Sequence, residues 1–451
     1  MPYEIDEKLI QDVKTAIGKR DEPFLRHLID GMRAADLADL IEDLDPEERL
    51  SVFALVEPEG AGEILVEMEP PFQEGILEGL DDDHLSEIVQ ELDSDDAADL
   101  VGDLPAERAQ QIIEKLEDDV TGELEKLLPY PEDTAGGIMA LEFVAVKDDA
   151  TVQEAIETIR RKREEVKNVY YLFVVNARGK LVGVVSLKDL VLASPTASVR
   201  SIMNPEVISV RVNVDQEEVA QQVKKYNLVT IPVVDEQDRL VGRITHDDIM
   251  DVIEEEADED ISRMAGVINQ EIAEESAVRI SRARLPWLLG GLGGGLLAAA
   301  VINQFEDALE RVIALAFFFP VIMSMGGSTG TQASTVMVRG LATGDISLVN
   351  IGRRLLVEIK VAIFNGAVCG ILLGCVVGVW VSDYGLGAVV TLSMVTIIFA
   401  SGFIGAAIPL VFRRLNIDPA LATGPFVTTS NDILSLVIYL GLVTLFLHIT
   451  R

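Results

Sequence analysis

The first part of the chain, residues 1 to about 130, is a run of short amphipathic blocks. Apolar residues recur at the i, i+3, i+4 spacing of a helix in LADLIEDL, GEILVEM, EGILEGL, SEIVQEL, AADLVGDL and AQQIIEKL. An acidic or proline-containing break such as DPEE, EPEG or DSDD follows each block and supplies a helix start. Because the period is only about 16–20 residues, the pattern predicts an acidic all-α domain whose small helices stack into a superhelix.

The next part of the chain changes to short β-type runs that alternate with helical runs, and this pattern occurs twice. The run VYYLFVVNARGKLVGVVSLKDLV at 169–191 is echoed by VTIPVVDEQDRLVGRITHDDIM at 229–250. The dipeptide Ile-Met at 138–139 is echoed in the same way at 202–203. The repeat predicts two copies of one α/β unit.

This repeated region resembles a tandem pair of cystathionine-β-synthase (CBS) domains. The resemblance covers about 115 residues and places the pair within 131–250, at about 138–195 and 200–250. Such pairs bind nucleotides in some proteins and act as scaffolds in others. Lys188 and Asp189 occupy positions where a CBS module can contact a nucleotide ribose, so the resemblance implies ATP as a candidate ligand.

An acidic segment follows, from Asp247 to about Ala283, and residues 251–283 of it are predicted to form a long connecting helix. Its apolar residues fit one buried stripe, whereas the other face of DDIMDVIEEEADEDISRMAG is almost entirely acidic. Like charges at i,i+4 repel each other on a helix, so we expect a cation to neutralise this face.

Five hydrophobic segments, each long enough to span a bilayer as a helix, occupy residues 284–451. Arginines precede the first segment and follow the second and the fourth, while the intervening loops QFED and SDYG carry no base. By the positive-inside rule, the N-terminus is cytoplasmic and the C-terminus is outside. The predicted spans are about 285–304, 312–340, 355–382, 387–412 and 419–448.

Charge divides the chain into two parts. The 451 residues have a formal net charge of −38, yet eight bases balance eight acids from Leu285 to Arg451. The remaining part therefore carries all of the negative charge, which disfavours nucleic acid and anionic lipid as partners and favours metal cations. The two cysteines, Cys369 and Cys375, share one hydrophobic segment, so no disulfide framework is expected.

The fifth hydrophobic segment carries one carboxylate, Asp432, with no cation in the same segment to pair with it. An ionised group at that depth costs about 2.5–3.5 kcal/mol or more, so it persists mainly where it faces water, a partner or an ion. We interpret Asp432 as a cation site on a permeation path. The alternative is a protonated Asp432 that donates to a carbonyl of a neighbouring helix.

Two stretches, in the second and fifth hydrophobic segments, are rich in glycine, proline and hydroxyl residues. In PVIMSMGGSTGTQASTVMVRG the small residues either pack helices closely or accompany a helix break between Pro320 and Gly330 that exposes carbonyls to a pore. In the fifth segment, the two prolines within 419–425 are expected to free carbonyls such as those of Ala420 and Leu421.

The whole arrangement resembles the MgtE family of magnesium channels. The order of an acidic helical domain, a CBS pair, an acidic connecting helix and five membrane helices covers essentially the full chain. Two positions depart from the family's pattern: Ser328 stands where Asn is common, and Ser435 where Gly is common. The residues that carry the resemblance are DPA at 418–420, Pro425, Thr428, Thr429, Asp432, Tyr439 and the GG…G.Q pattern at 326–332.

The resemblance implies a homodimer in the bacterial inner membrane, with a pore on its two-fold axis and Asp432 of both subunits facing one hydrated Mg²⁺. It implies Mg²⁺ import into the cytosol, and closure of the pore when cytosolic Mg²⁺ binds to the acidic regions and holds the connecting helix as a plug. Asn227 occupies a position where the family can offer Asp. The regulatory positions implied are Asp95, Asp99 and the Gly137 carbonyl with Asp248, Glu217 with Asp251, and Glu256, Glu259 and Asp260 near Asp418 at the pore mouth.

Other functions remain open at this point. One is a CBS-regulated transporter of another divalent cation or of an anion, although the one deep base, Lys360, adjoins Glu358 and is explained more simply as an ion pair. Another is a membrane sensor that transports nothing. An enzyme is not expected, because no nucleophile–base pair or phosphate-binding loop stands out.

Overall fold

In a computed structural model of the chain, the described residues are 5–163, 166, 168–267, 277–343, 346, 351–415 and 417–450. The chain divides into two compact units, Met1–Glu254 and Glu255–Arg451.

The N-terminal region of the first unit is helical, as the sequence predicts. Proline at the first or second helical position, where its missing N–H costs no hydrogen bond, starts several of these helices. Most helices pack against the next but one along the chain, as in a stacked array. The described helices are α1 Glu7–Lys19, α2 Glu22–Ile29, α3 Ala34–Glu42, α4 Pro46–Phe53, α5 Pro58–Val66, α6 Pro70–Gly79, α7 Asp82–Glu91, α8 Ser94–Gly102, α9 Ala106–Ile113 and α10 Asp118–Leu127.

The rest of the first unit contains two copies of one α/β arrangement. In each copy the first strand pairs in parallel with the second, which pairs in antiparallel fashion with the third, so the orders are β1-β2-β3 and β4-β5-β6. The elements are β1 Ala145–Lys147, α11 Val152–Arg161, β2 Tyr171–Val175, β3 Leu181–Ser186, α12 Leu187–Leu192, α13 Val199–Ile202, β4 Val210–Arg211, α14 Gln216–Tyr226, β5 Thr230–Val234, β6 Leu240–Thr245 and α15 His246–Ala265.

The repeated Ile-Met dipeptide explains how the two copies interlock. A Cβ at Gly242 on β6 would lie 2.6 Å from the sulfur of Met139, and a Cβ at Gly183 on β3 would lie 2.6 Å from the sulfur of Met203. Each methionine therefore packs on a strand of the other copy, at a position where only glycine leaves room. The exchange joins the pair into one body.

The acidic connecting helix is shorter than the sequence predicts. α15 ends at Ala265, and Gly266 follows with a φ of +73°, a left-handed conformation that terminates helices. The prediction of one helix running to Ala283 is therefore wrong. Residues 268–276 of that predicted helix lie outside the described residues.

The second unit contains the five predicted membrane segments, which agree with the observed helices to within a few residues except at the start of the first. Among the described residues, five spans are long and apolar enough to cross a membrane. A short 3₁₀ helix, Ile313–Phe318, precedes α18, and another, Pro419–Ala422, precedes α21. The helices are α16 Ala277–Gln304, α17 Glu306–Arg311, α18 Phe319–Ala342, α19 Ile351–Val381, α20 Tyr384–Arg414 and α21 Gly424–Ile449.

Pro320 lies at a helix start, whereas Pro286 and Pro409 lie inside α16 and α20. Pro320 is in the first turn of α18, where it displaces no helical hydrogen bond, and α18 is continuous to Ala342. The predicted break between Pro320 and Gly330 is therefore wrong. In the fifth segment the change of structure falls before α21, between the 3₁₀ turn at Pro419 and Gly424.

Candidate functional site

Asp432 lies on α21 and faces a cavity. It is the ninth residue of this helix, so it lies about 12 Å from the helix start at 1.5 Å per residue. The cavity has a volume of about 690 Å³ and is open on one side. α21 contributes Thr428 and Asp432 to its wall. α18 contributes Met323, Ser324, Gly327, Ser328, Thr331, Gln332, Thr335 and Val336.

The packing of α18 on α21 leaves the Asp432 carboxylate accessible. A Cβ at Gly327 would lie 3.2 Å from Asp432 Oδ1, so the glycine leaves room for the carboxylate. The hydroxyls of Thr331 and Thr428 are 3.4 Å apart between the two helices. Asp432 makes no hydrogen bond or ion pair with another residue in the part of the chain that the structure describes. Its oxygens are therefore available to a ligand.

The chemistry of this wall suits a hydrated cation. Within the described ranges, no three His, Cys, Asp or Glu side chains are grouped so as to hold a metal ion. Mg²⁺ dehydrates reluctantly and usually keeps several waters, with only one or two carboxylates as ligands. A wide cavity with one carboxylate and several neutral oxygens, including that of Ser328, can therefore contact the water shell of such an ion.

The buried side of α21 accommodates the unusual Ser435. Its hydroxyl donates to the carbonyl of Asn431 at 2.6 Å, and it is fully buried against Gly326 of α18. The Tyr439 hydroxyl donates to the Leu315 carbonyl at 3.3 Å. These contacts connect α21 to the segment Ile313–Ala342 and fix the face that presents Asp432.

Asp418 lies beside the second half of α15. The guanidinium of Arg263 binds the carboxylates of Asp418 and Glu259, four residues earlier on α15. Burial, reinforced by the charges of Asp418 and Glu256, raises the pKa of Asp260 to about 6. The structure thus brings together Glu256, Glu259, Asp260 and Asp418. Arg263 was missed in the sequence, although its i,i+4 spacing from Glu259 is a signal.

The start of α21 fits closely against the end of α15. Gly424 has a φ of +50°, in the left-handed region that favours glycine. A side chain at this position would also overlap the carbonyl oxygen of Met264. Both constraints select glycine where the connecting helix meets the fifth membrane segment.

The carbonyl of Ala420 is engaged rather than free. It accepts hydrogen bonds from the Thr423 backbone N–H at 3.1 Å and from the Thr423 hydroxyl at 2.8 Å, and Ala420 is fully buried. The expectation of a freed carbonyl at Ala420 is therefore wrong, because Thr423 closes the 3₁₀ turn. Leu421 is partly exposed, and its role as a pore residue stays a prediction.

In the first unit, Asp95 and Asp248 belong to one acidic cluster, in which Asp95 is buried and Asp248 is half-buried. Burial raises the pKa of Asp95 well above its usual range, and the nearby charges of Asp96, Asp248 and Glu142 raise it further. Burial also raises the pKa of Asp248, whose carboxylate accepts two 2.8 Å hydrogen bonds from Thr245. Asp96 and Glu142 were missed in the sequence; Asp96 lies in the acidic run DSDD, whereas Glu142 is far from that run in the chain and only the fold brings it close.

The other predicted regulatory residues are only partly grouped. Asp99 and Gly137 share the wall of a cavity of about 320 Å³. Burial, followed by the charges of Asp248 and Glu67, raises the pKa of Asp251 to about 6. Glu217 accepts a 3.1 Å hydrogen bond from a glutamine on its own helix. Its pairing with Asp251 stays a prediction.

The candidate nucleotide residues lie on an exposed helix start. Lys188 and Asp189 are both exposed in the first turn of α12. Ser186 caps this helix: its hydroxyl donates to the Asp189 carboxylate at 2.6 Å and accepts from the Asp189 backbone N–H at 3.1 Å. If a ribose hydroxyl donated to Asp189, that carboxylate would accept hydrogen bonds from both the ribose and Ser186.

The ion pair expected between Lys360 and Glu358 is wrong in its partner. Glu358 pairs with Arg354 at 2.5 Å and not with Lys360, which is nearer in the sequence, because the i,i+4 spacing places two side chains on one helix face.

The small residues of α19 pack on α20. A Cβ at Gly370 would lie 2.8 Å from the Thr391 carbonyl oxygen, so glycine lets the two helices approach closely.

Comparison with known proteins finds matches to the N-terminal helical region, the two α/β copies and the membrane helices. Residues 319–442 match the family model described as "Divalent cation transporter". Residues 32–133 match the "MgtE intracellular N domain", and 135–195 and 199–255 each match the CBS domain. A relative from Thermus thermophilus, "Magnesium transporter MgtE", is 38% identical over 449 residues, which are 98% of this chain and 100% of that protein. The chain belongs to the MgtE family.

Further MgtE relatives match parts of the chain. The magnesium transporter MgtE of Bacillus subtilis is 39% identical over 336 residues, 74% of each chain. The crystal structure of the cytosolic domain of the Mg²⁺ channel MgtE in complex with ATP is 38% identical, covers 54% of this chain and 99% of that chain, and superposes with a TM-score of 0.51. The predicted fold class, a helical N domain, a CBS pair and five apolar helices, is confirmed. As an MgtE-family chain, it is a membrane protein with cytosolic N-terminal domains.

Proposed function

We propose that this chain carries Mg²⁺ across the plasma membrane into the cytosol, along the cavity between α18 and α21. The observation that carries the proposal is the Asp432 carboxylate. It projects from a membrane helix into an open cavity, and it has no hydrogen-bond or ion-pair partner among the described residues. A charge at that position is expensive unless an ion or water compensates it. Relatives named as magnesium transporters support Mg²⁺ as that ion.

The active form in this proposal is a homodimer. One chain offers a single carboxylate and a cavity open on one side. A second copy related by a two-fold axis would close the cavity and place two carboxylates around one dication, which balances its charge. With cytosolic N-terminal domains and five crossings, the C-terminus lies outside the cell.

Regulation in this proposal comes from the acidic cytosolic residues. Asp95, Asp99, the Gly137 carbonyl and Asp248 would hold one regulatory Mg²⁺. Burial raises the pKa of Asp95 and of Asp248, and the charge of Asp248 adds to the shift at Asp95, so a bound dication would stabilise their ionised forms. Glu217 with Asp251 would hold another, as would Glu256, Glu259 and Asp260 near Asp418. A coupling of about 1–3 kcal/mol per site, summed over several sites, reaches the roughly 5.5 kcal/mol that moves a gate from mostly open to mostly shut.

ATP is a second regulatory ligand in the proposal. A related cytosolic domain was crystallised with ATP. Lys188 and Asp189 are the residues that we expect to contact the nucleotide. Equilibrium dialysis of the full chain with labelled ATP tests this: Asp189→Asn should weaken binding, and unchanged binding would remove Asp189 from the site.

The experiment that tests the main proposal is ion flux into liposomes that contain the purified chain and a fluorescent Mg²⁺ reporter. We expect Mg²⁺ entry that slows when millimolar Mg²⁺ is present on the side of the cytosolic domains. Entry of Ca²⁺ or Zn²⁺ without Mg²⁺ would favour a transporter of another cation. No entry of any divalent ion, with intact folding, would favour a membrane sensor.

A further inference from the structure

The second unit contains another polar cavity, which adjoins the one at Asp432 and shares Gln332 and Val336 with its wall. It has a volume of about 250 Å³ and lies between α18, α19 and α20. Its polar wall includes Arg354, Glu358 and Asn365 of α19 and Gln332 of α18. At about 30 Å³ per water molecule, a polar space of this size holds several waters or a small polar ligand.

An ion pair with an unused donor lines this cavity. Arg354 Nη2 donates to Glu358 Oε1 at 2.5 Å, and the Glu358 side chain is only 13% exposed. The Nε–H of Arg354 is buried and has no hydrogen-bond partner within the described residues. A guanidinium has five N–H donors, and leaving one buried and unpaired is costly. The cavity is therefore suited to a ligand that offers an anionic oxygen to Arg354.

The position of the pair indicates the source of such a ligand. Arg354 and Glu358 are the fourth and eighth residues of α19, so they lie about 5 and 10 Å from its start at 1.5 Å per residue. In the orientation proposed above, this start is at the cytoplasmic surface. Val361, in the wall of the same cavity, is 45% exposed. The cavity thus joins a charged pair at head-group depth to an apolar outer surface.

Charge balance decides between head groups. A ligand with only a phosphate would satisfy Arg354 but would leave Glu358 facing a second negative charge. A ligand with only a cation would face Arg354. A zwitterion with both a phosphate and an ammonium group pairs with both side chains and leaves the set of four charges neutral. Burial in a medium of low dielectric constant strengthens this preference.

We propose that this cavity binds the head group of a phosphatidylethanolamine molecule from the cytoplasmic leaflet. The phosphate accepts from Arg354 Nε, the ammonium group donates to Glu358, and an acyl chain lies along Val361. The amides of Gln332 and Asn365 provide hydrogen bonds to the glycerol region. The proposal uses the membrane orientation given above but does not depend on which ion is transported.

The test is native mass spectrometry of the delipidated full chain titrated with dioleoyl phosphatidylethanolamine or dioleoyl phosphatidylglycerol. We expect the ethanolamine lipid to bind roughly tenfold more tightly, as one additional charge-assisted contact allows. Glu358→Gln should abolish this preference. Equal affinity of the unchanged chain for both lipids would overturn the proposal.

Matched variants separate the cavity from a general effect of basic charge. Arg354→Gln and Arg353→Gln remove the same charge from adjacent positions, but Arg353 is exposed and does not line the cavity. Only Arg354→Gln should lose the preference, and equal loss in both would overturn the proposal.

A second pair of variants leaves the ion pair in place. Val361→Trp fills the cavity opening, whereas Val357→Trp adds the same side chain one turn away at a residue that is 40% exposed and does not line it. Only Val361→Trp should reduce lipid binding. Soluble phosphoethanolamine should not compete at concentrations where the lipid binds; competition there would make the head group alone the ligand and overturn the assignment to a membrane lipid.

Discussion

The ion pairs of Arg263 give a direct way to test how the connecting helix holds the pore mouth. In the structure this guanidinium binds Asp418, before α21, and Glu259, on α15. Arg263→Gln leaves those carboxylates beside Asp260 with one positive charge fewer. We expect the connecting helix to leave the mouth more readily, so that resting Mg²⁺ entry rises when cytosolic Mg²⁺ is low.

The magnitude follows from the exposure of the groups. The side chains of Arg263, Glu259 and Asp418 are 39%, 35% and 26% exposed, so solvent screens the pairs partly. Fully exposed pairs contribute about 0.2–1 kcal/mol, and hydrogen bonds to charged groups about 1.5–3 kcal/mol. We therefore expect the loss of the Arg263 contacts to destabilise the closed mouth by about 1–2 kcal/mol per chain, which changes the ratio of open to closed mouths by about 5–30-fold.

The assay is Mg²⁺ entry into liposomes at several Mg²⁺ concentrations on the cytosolic side. Arg263→Gln should raise entry at the lowest concentration and converge with the unchanged chain at the highest, because Mg²⁺ can then neutralise the exposed carboxylates. Arg263→Lys keeps the charge but loses the forked geometry, so it should be intermediate. Equal or lower resting entry in Arg263→Gln would refute the role of this contact in closure.

Three further predictions test other parts of the structure. The pKa of Asp260 is raised to about 6 from the ordinary value near 3.9, so the stability that Asp260 contributes to the assembled mouth is fully present below about pH 4 and is lost as the pH rises through 6. With no Mg²⁺ on the cytosolic side, Mg²⁺ entry should therefore be slower at pH 5 than at pH 7.5, and Asp260→Asn should flatten this difference. Asp95→Asn removes a buried carboxylate, so the melting temperature of the full chain, measured by scanning fluorimetry with EDTA, should rise by a few degrees. The further rise in melting temperature on adding Mg²⁺ should be smaller than in the unchanged chain. An undiminished Mg²⁺ effect would exclude Asp95 as a ligand. Gly326→Ala should destabilise the packing of α18 on α21 by about 1–3 kcal/mol, because the added methyl group meets the Ser435 hydroxyl, and Ser435→Gly should restore stability; failure of this rescue would show that the two residues are not in contact.

The sequence predicts the fold well because each region has its own period. Helical spacing in short blocks, a repeated β-type run and five long apolar segments each indicate one type of structure, and all three types are present. Only the three-dimensional contacts show that Met139 and Met203 each pack on a strand of the other CBS copy. The repeated Ile-Met dipeptide nevertheless drew attention to both residues in the sequence. Long spans and repeats are the most readable signals because many residues contribute to them.

The errors concern single residues at the ends of elements. Pro320 suggests a break within a helix, but the structure places it in the first turn, where proline is tolerated. Gly266 ends the connecting helix early, although the acidic pattern alone does not distinguish a terminus from an interior glycine. The carbonyl of Ala420 is capped by Thr423, a local contact that composition does not reveal.

The candidate site was also only partly predictable. Asp432 stands out because a lone carboxylate in an apolar span needs compensation. Arg263 does not stand out, since a base in an acidic helix is equally compatible with a solvated surface. Its partner, Asp418, is 155 residues away in the chain, and only the folded structure brings the two together.

The most direct test of the central claim is Mg²⁺ entry into liposomes that contain the unchanged chain, Asp432→Asn or the control Asp307→Asn. Asparagine keeps the size of the side chain and removes its charge, while Asp307 is an exposed acid in the short helix α17 of the same unit. If Asp432 is the ion site, Asp432→Asn loses most Mg²⁺ entry and Asp307→Asn retains it. Equal entry in all three proteins would place the ion path elsewhere and contradict the proposed mechanism.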